Sequence, residues 1–253
     1  MGLVPHLLIE RRSLLRVAGG GAVGFAILGT AACGDDAAEP TEDAASPTEE
    51  SPEPTEEPTV EPLSWERVDL GFVAAYVLVR GEEAAVVDTG VEGSAPAIAT
   101  VLDDAGPGWA GVRHVVLTHK HPDHIGSTSA VLTEASGATG YAGEADLTAI
   151  DADLQPLGDG EEVFGLQVVA TPGHTAGHLS VFDPDTGVLV AGDALANQAQ
   201  LSGSIPQFTE DEAAAAESVR KLAALTPSTI LVGHGPPVTD GAADALQALA
   251  DSL

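Results

Sequence analysis

Four side chains able to ligate a metal fall within six consecutive positions, in Thr118-His119-Lys120-His121-Pro122-Asp123-His124. Neutral imidazole and ionised carboxylate are the donors that borderline divalent ions such as zinc accept, and a cluster binds far better than isolated side chains. The spacing restricts the backbone that can carry them. Helical zinc motifs place their histidines four apart, whereas His119 and His121 are two apart and project to the same side in an extended segment. Asp123 and His124 then turn toward a neighbouring position, and Pro122 argues against a helix continuing through the motif. A lone histidine is more often a satisfied polar residue than a ligand. Most of the chain's eight histidines, however, sit in this cluster or in glycine-rich turns. Clustering, rather than abundance, points to a metal site.

The flanking pattern places the cluster at the carboxyl end of a strand. Residues 113–117 read as a short buried strand leading straight into it, and helical spacing resumes over 125–135. Upstream, β-rich runs over 72–79 and 84–87 are divided by Arg80-Gly81-Glu82-Glu83 and predict a hairpin, followed by a helix over 94–102. Downstream, strands are expected at 162–170, 179–182 and 188–191, the last two joined by Asp183-Pro184-Asp185-Thr186-Gly187, which has turn chemistry. Thr209-Glu210-Asp211-Glu212 has the composition of a helix N-terminus, and the helix it starts is expected to run to 225. A strand at 229–232 and a helix at 242–249 complete the pattern. Strands interleaved with helices indicate α/β layers in one domain over residues 63–253.

Three further turns share one form, a strand end with glycine beside a candidate ligand: Thr171-Pro172-Gly173-His174-Thr175-Ala176-Gly177-His178, Ala191-Gly192-Asp193 and Val232-Gly233-His234-Gly235-Pro236. Glycine there permits tight backbone geometry and close approach to an ion. Together with Val87-Asp88-Thr89-Gly90 ahead of the histidine cluster, this ordered series over residues 65–253 resembles the metallo-β-lactamase-fold hydrolase superfamily, which includes glyoxalase II, lactonases and true β-lactamases. The resemblance implies a four-layer αβ/βα sandwich with metals at one edge between two sheets. Carried over motif by motif, His119, His121 and His174 would hold one of two divalent metal ions, and Asp123, His124 and His234 the other. Asp193 would bridge them, with zinc as the expected ion. Asp88 matches a carboxylate that family members keep behind the ligands, where such partners orient imidazoles. His178 would lie behind the ligands, face the substrate or pack in the core.

A pair of ions implies a hydrolase in which a shared water, deprotonated near neutral pH, attacks a carbonyl carbon while one ion polarises the carbonyl oxygen. Asp123, a ligand beside that water, is the expected proton shuttle to the leaving group. Serine catalysis lacks its Gly-x-Ser-x-Gly elbow. The bridging aspartate is missing from dinuclear true β-lactamases, so Gly192-Asp193 points toward the glyoxalase, lactonase and general ester or thioester hydrolases. Glyoxalase II normally carries an additional helical carboxyl-terminal region that recognises glutathione, and about twenty residues follow His234 here. The expected reaction is cleavage of a small neutral ester, lactone or thioester. The alternatives are a β-lactam hydrolase, a mononuclear iron sulfur-oxidising relative that would lack the Asp123, His124 and His234 ligands, and a non-catalytic metal- or ligand-binding surface lipoprotein. Specificity is expected in loops such as 157–161 and 197–208, with Asn197 in a turn or capping role or donating to an oxyanion.

Residues 1–62 do not read as part of the domain. Arg11-Arg12-Ser13-Leu14-Leu15-Arg16 precedes an apolar, glycine-rich run over 17–32, the layout of an export signal over 1–32. The paired arginines resemble the twin-arginine type. Thr30-Ala31-Ala32-Cys33 resembles a bacterial lipoprotein cleavage box, although an aliphatic residue usually stands where Thr30 does. These resemblances imply a lipid on Cys33, membrane attachment through it, and a place on the outer face of the cytoplasmic membrane. An uncleaved anchor or plain secretion is the alternative, although the run is short and weakly apolar for a span. Cys33 is the only cysteine, so no intramolecular disulfide can form. Residues 33–62 form an acidic Pro/Thr/Glu tether with 11 acidic side chains and no basic one, too poor in large apolar residues to repay the entropy of ordering. Of the formal net charge of −30, about 21 negative charges fall on residues 63–253, after the 11 of the tether and a net +2 in the signal. Such a field repels nucleic acid, and the expected partner, a small-molecule substrate, is what the hydrolase resemblance implies.

Overall fold

The computed structural model describes residues 61–253; the expected export signal, Cys33 and all but the last two residues of the tether lie outside the described residues. The described chain begins with β1 (Ser64–Asp69), β2 (Ala74–Arg80), β3 (Glu83–Val87), β4 (Val112–Val116), β5 (Thr139–Gly143) and β6 (Leu154–Leu157), which form a six-stranded sheet in that order. The first three strands pair antiparallel, β2 and β3 forming the hairpin that the sequence predicts, and the pairs from β3 to β6 are parallel. Then follow β7 (Glu162–Val163), β8 (Leu166–Ala170), β9 (Leu179–Asp183), β10 (Val188–Gly192), β11 (Leu195–Asn197), β12 (Leu201–Gly203) and β13 (Thr229–Val232). Five of these make a second sheet in the order β13-β10-β9-β8-β7, while β11 and β12 form a separate hairpin.

Side chains alternate across a strand, so each sheet has two faces to cover. On β2, Tyr76 and Leu78 point into the space between the sheets and meet Leu166, Val168, Leu179 and Val181 of the second sheet. Val77 and Val79 point the other way, into a cluster with helices. Those helices are α1 (Ala95–Ala105), α2 (Gly108–Gly111), α3 (Pro122–Ile125) and α4 (Thr128–Glu134), and Ile98, Leu102 and Val131 carry the contact. The outer face of the second sheet packs Leu189, Ile230 and Val232 against α5 (Glu212–Ala223) and α6 (Ala242–Asp251) through Val219, Leu222 and Leu246. Helix, sheet, sheet and helix thus stack in the four-layer order of an αβ/βα sandwich. Asp211 starts α5 by accepting the backbone N–H groups of Ala213 and Ala214.

Three local expectations need correction. Pro122 does not exclude a helix from the metal motif but occupies the first helical position of α3, where a missing N–H costs nothing. The helical run then breaks at Gly126 and Ser127 before α4. The single strand expected over 162–170 is a tight hairpin, turned by Phe164 and Gly165 at φ +57° and +71°. Consecutive positive φ values give the turn twist that hairpins favour, and phenylalanine at such a position gives no turn signal in the sequence.

At one edge of the sandwich β3, β4, β8, β10 and β13 all end, and the candidate ligands follow. At the opposite end Arg80, on β2, reaches across to Asp183, on β9, with Nη2 to Oδ1 at 2.7 Å; the side chains are 9% and 0% exposed. Arg80 Nε also donates to the Phe164 carbonyl at 3.2 Å. Removing the guanidinium strands a buried carboxylate, which typically costs about 3–5 kcal/mol. Arg80→Met is therefore expected to lower the unfolding free energy by that amount, read as a lower urea midpoint at an unchanged m-value, with metal content intact. Arg113→Met, which breaks the exposed pair with Glu83, is expected to cost no more than about 1 kcal/mol.

Candidate metal centre

Asp88, just past β3, adopts a left-handed backbone (φ +63°) that aspartate tolerates better than most residues. Its buried carboxylate accepts the Thr118 backbone N–H at 2.7 Å, the Thr118 hydroxyl at 2.8 Å and His124 Nδ1 at 2.7 Å. The Thr118 proton is thereby committed, so Thr118 Oγ1 can only accept from His119 Nδ1, 3.0 Å away. A neutral imidazole has one donor and one acceptor nitrogen. In the neutral form that can take an ion, His119 and His124 are therefore both held with the Nε2 lone pair facing the site.

The same logic fixes the ligands from the second sheet. Thr209 Oγ1 donates to the Ile205 carbonyl at 2.8 Å, so it accepts from Ser204 Oγ at 2.6 Å, and Ser204 in turn accepts from His174 Nδ1 at 2.7 Å. His174 Nε2 is left as a lone pair. His234 Nδ1 donates to the Phe72 carbonyl at 2.7 Å, so in the neutral ring Nε2 is again the lone pair. Carboxylate or carbonyl support behind an imidazole is the arrangement that orients metal-binding histidines.

These lone pairs converge. His121 Nδ1 lies 3.0 Å from His119 Nε2 and 2.9 Å from His174 Nε2. Asp193 Oδ2 is 3.3 Å from His174 Nε2 and 3.1 Å from His234 Nε2, while its Oδ1 is 3.4 Å from His124 Nε2. Asp123 Oδ2 is 3.4 Å from His234 Nε2 and 3.9 Å from His124 Nε2. Three ligand sets result: His119, His121 and His174; His119, His124 and Asp193; and Asp123, His124 and His234. His124 Nε2 and Asp193 Oδ1 are buried without any hydrogen-bond partner. Orphaned buried polar atoms are costly, and a cation between them would satisfy both. The donor set is of the metal-binding kind.

Proton affinities split along the same lines. Burial, aided by neighbouring histidines, holds His119 well below the usual imidazole range and His174 at about 4. Burial also opposes a charge on His124, but the Asp88 and Asp193 carboxylates outweigh it and hold that imidazole well above its usual range. Hydrogen bonds donated to Asp123 and Asp193 raise His234 to about 10. Burial works against ionising Asp193, yet His124 above all keeps its carboxyl well below the usual value.

All seven residues expected as ligands meet at one edge, and Asp88 stands behind them as expected. His178 is not among the converging donors. Its Nε2 accepts the Asp193 backbone N–H at 3.0 Å, and its Nδ1 pairs with Thr171 Oγ1 at 2.8 Å. Burial pushes its pKa down to about 3, so it is a neutral prop for the Asp193 backbone. Asn197 takes the turn role, donating from Nδ2 to the Pro236 carbonyl at 2.9 Å. Of the loops expected to shape specificity, 197–208 lines the pocket beside the ligands, through Gln198, Ile205 and Phe208, whereas 157–161 does not. Residues 157–161 run from the end of β6 toward β7, where Asp159 Oδ1 accepts the Ala170 N–H at the end of β8 at 2.8 Å.

Other residues of the site had no sequence signal. Asp146, fully buried, accepts the Lys120 backbone N–H at 3.1 Å, the Thr175 hydroxyl at 2.6 Å and the Gly177 N–H at 3.1 Å, tying the histidine cluster to the turn that bears His174. Ser204 and Thr209 were equally silent. The glycines beside the ligands answer to a steric demand: a Cβ on Gly233 would run into Asp193 Oδ1 and the His124 ring.

Comparison with known proteins agrees with this geometry. The family described as the Metallo-beta-lactamase superfamily matches residues 68–234. The Bacillus subtilis protein named "Probable metallo-hydrolase YflN" is 32% identical over 201 residues, covering 61% of this chain and 76% of that protein. The hydroxyacylglutathione hydrolase of Rhodobacter capsulatus is 30% identical over 161 residues, covering 62% of this chain and 59% of its own length, so this chain spans little more than half of that relative. The crystal structure of TTHA1623 in a di-iron-bound form superposes with a TM-score of 0.57 at 26% identity, covering 66% of this chain and 89% of that one. The family match spans every ligand-bearing turn from the His119 cluster to His234, and the chain belongs to the metallo-beta-lactamase superfamily, with glyoxalase II-like homologues among its relatives.

Proposed function

We propose that the chain is a metal-dependent hydrolase with a two-ion centre that cleaves a small ester, lactone or thioester. The observation that carries this reading is Asp193, whose two carboxylate oxygens face different histidines, Oδ2 toward His174 and His234 and Oδ1 toward His124. His119, His121 and His174 would hold one ion, Asp123, His124 and His234 the other, with Asp193 between them. Divalent ions bound there would supply a water of lowered pKa and polarise the scissile carbonyl. The nitrogen and carboxylate donors suit zinc, and the di-iron-bound neighbour makes iron the competing metal. The hydroxyacylglutathione hydrolases among the relatives support trying thioesters along with esters and lactones.

The chain's own residues have distinct parts in this reading. His178 and Asp88 fix the Asp193 backbone and the His124 ring, so neither donor has to reorganise during turnover. Asp123 lines the pocket, and the hydrogen bond from His234 keeps its carboxyl below the usual value. Ionised and beside the place where the water would stand, Asp123 Oδ2 would take a proton from that water and return it to the leaving group. For the amino-terminal segment, we propose export and lipid attachment at Cys33 on the outer face of the cytoplasmic membrane, on the strength of Arg11-Arg12 and Ala31-Ala32-Cys33.

Metal analysis of the purified full-length chain is expected to give two equivalents, and removal by chelator to abolish ester, lactone or thioester hydrolysis until metal is restored. Asp123→Asn carrying both ions is expected to lose at least about a hundredfold in kcat; wild-type turnover in that variant would overturn the shuttle. Proton release tests the ligand assignment. In the ion-free protein His174, at about 4, is already neutral at pH 7, whereas His234, at about 10, and the raised His124 carry protons that an ion must displace. Affinity at the Asp123, His124 and His234 group therefore rises with pH through neutrality, and affinity at the other group does not. Calorimetry at pH 7 in buffers of different ionisation enthalpy should find one equivalent binding with almost no proton release and the other displacing a proton from each of those two histidines. Equal release by both equivalents would contradict the assignment. In cells, labelled palmitate is expected to enter the wild-type chain but not Cys33→Ser.

A further inference from the structure

Only three large hydrophobic side chains are markedly exposed among the described residues: Phe72 at 65%, Phe208 at 58% and the carboxyl-terminal Leu253. Two of the three converge on one cavity of about 390 Å³, the one that contains the candidate ligands. Apart from those ligands its wall is Phe72, Pro122, Ile205, Phe208 and a single amide, Gln198, with no lysine or arginine. The nearest cation described beside the cluster, Lys120, is already engaged by Glu210 at 2.8 Å and Asp146 at 3.5 Å. Contiguous exposed apolar surface of this kind marks a binding site rather than ordinary surface.

The backbone under both rings is fastened, and the Phe72 ring has a stacking partner. The Phe72 turn is closed by the Asp69 carboxylate on the Gly71 N–H at 3.0 Å and by Leu70 N–H to the Val73 carbonyl at 3.2 Å. The ring stacks on His234 at 12° with centroids 6.2 Å apart. Phe208 ends a single helical turn, Pro206–Phe208, fastened by its N–H to the Ile205 carbonyl at 3.0 Å and by the Ser204–Thr209 hydroxyl pair. One aromatic wall therefore stands beside His234 and the other beside His174. Fixed walls bind without the entropy cost of ordering loose side chains.

We propose that Phe72 and Phe208, with Ile205, clamp an uncharged hydrocarbon group flanking the scissile carbonyl, so that the enzyme selects apolar esters, lactones or thioesters over substrates carrying a carboxylate at that end. This specificity rests on the hydrolase reading above. Burying each methylene of a chain against such walls is worth about a fourfold gain in binding, whereas a carboxylate would meet no cation there. The test uses the metal-loaded full-length chain with thioesters of one neutral thiol bearing acetyl, butyryl, hexanoyl and octanoyl groups, and acetate esters of the matching straight-chain alcohols. Analogues ending in a carboxylate complete the set. In one of the two series kcat/KM is expected to rise about two- to fourfold per methylene, and the carboxylate analogue to fall at least about tenfold below its methyl counterpart. In Phe72→Ala and Phe208→Ala, with metal content unchanged, the dependence on chain length is expected to flatten. The Phe72 carbonyl that holds His234 survives that substitution.

Calorimetric binding of non-hydrolysable straight-chain amides of the same lengths supplies a readout that does not depend on turnover. Hydrolysis with no chain-length dependence, or a preference for the carboxylate-ended chains, overturns the clamp and leaves the hydrolase reading standing. Amides that bind more tightly with length, in a metal-loaded chain that cleaves none of the substrates, uphold the clamp and overturn the hydrolase reading. If amide affinity is independent of length and nothing is cleaved, both fall.

Discussion

The hydrogen bonds behind the imidazoles decide what this protein can be. Each of His119, His124, His174 and His234 gives its outward N–H to a fixed oxygen, from Thr118, Asp88, Ser204 and the Phe72 carbonyl respectively. A neutral ring so committed has only a lone pair left for the inside. Lone pairs and carboxylates brought to within 3 to 4 Å of one another repel unless a positive charge is shared among them. The ion-free chain meets that demand in part with protons on His124 and His234, and the rest is carried by a rigid surround.

That surround is an agreement between two sheets. The histidine cluster leaves the first sheet, whereas His174, Asp193 and His234 leave the second, so the site exists only while the two keep a fixed offset. Backbone bonds cross between them at the site edge, from Leu179 N–H to the Thr118 carbonyl and from Ala74 N–H to the Gly233 carbonyl, both at 2.9 Å. The buried Tyr76 hydroxyl adds a third, to the Val232 carbonyl at 2.8 Å. Arg80 and Asp183 fasten the far end. The apolar filling between the sheets is non-directional, and these polar links set the register that apolar packing alone would leave free.

Most of the fold and all seven converging donors were legible in the sequence because both are written in short local patterns. Short, nearly continuous apolar runs mark β2, β3, β9, β10 and β13, and glycine beside histidine or aspartate marks the turns. What escaped notice depends on partners far apart in the chain. Asp146 looks like any turn aspartate until Lys120, Thr175 and Gly177 are brought to it. Ser204 matters only because Thr209 closes the chain of hydroxyls behind His174. β6 reads poorly as a strand since Pro156 interrupts it, and it is accommodated because it lies at the sheet edge. Phe164 hid a hairpin by taking a backbone conformation usually left to glycine or asparagine.

The stretch from Ser204 to Thr209 belongs to two systems at once. One end supplies the acceptor for His174 Nδ1, and within the same six residues Ile205 and Phe208 form a pocket wall. Because Thr209 is bonded to both Ser204 and the Ile205 carbonyl, the wall cannot shift without drawing on the oxygen that sets the basicity of a candidate ligand. Whatever presses on that wall is therefore felt at an imidazole nitrogen, and pocket shape and donor strength are one mechanical variable rather than two.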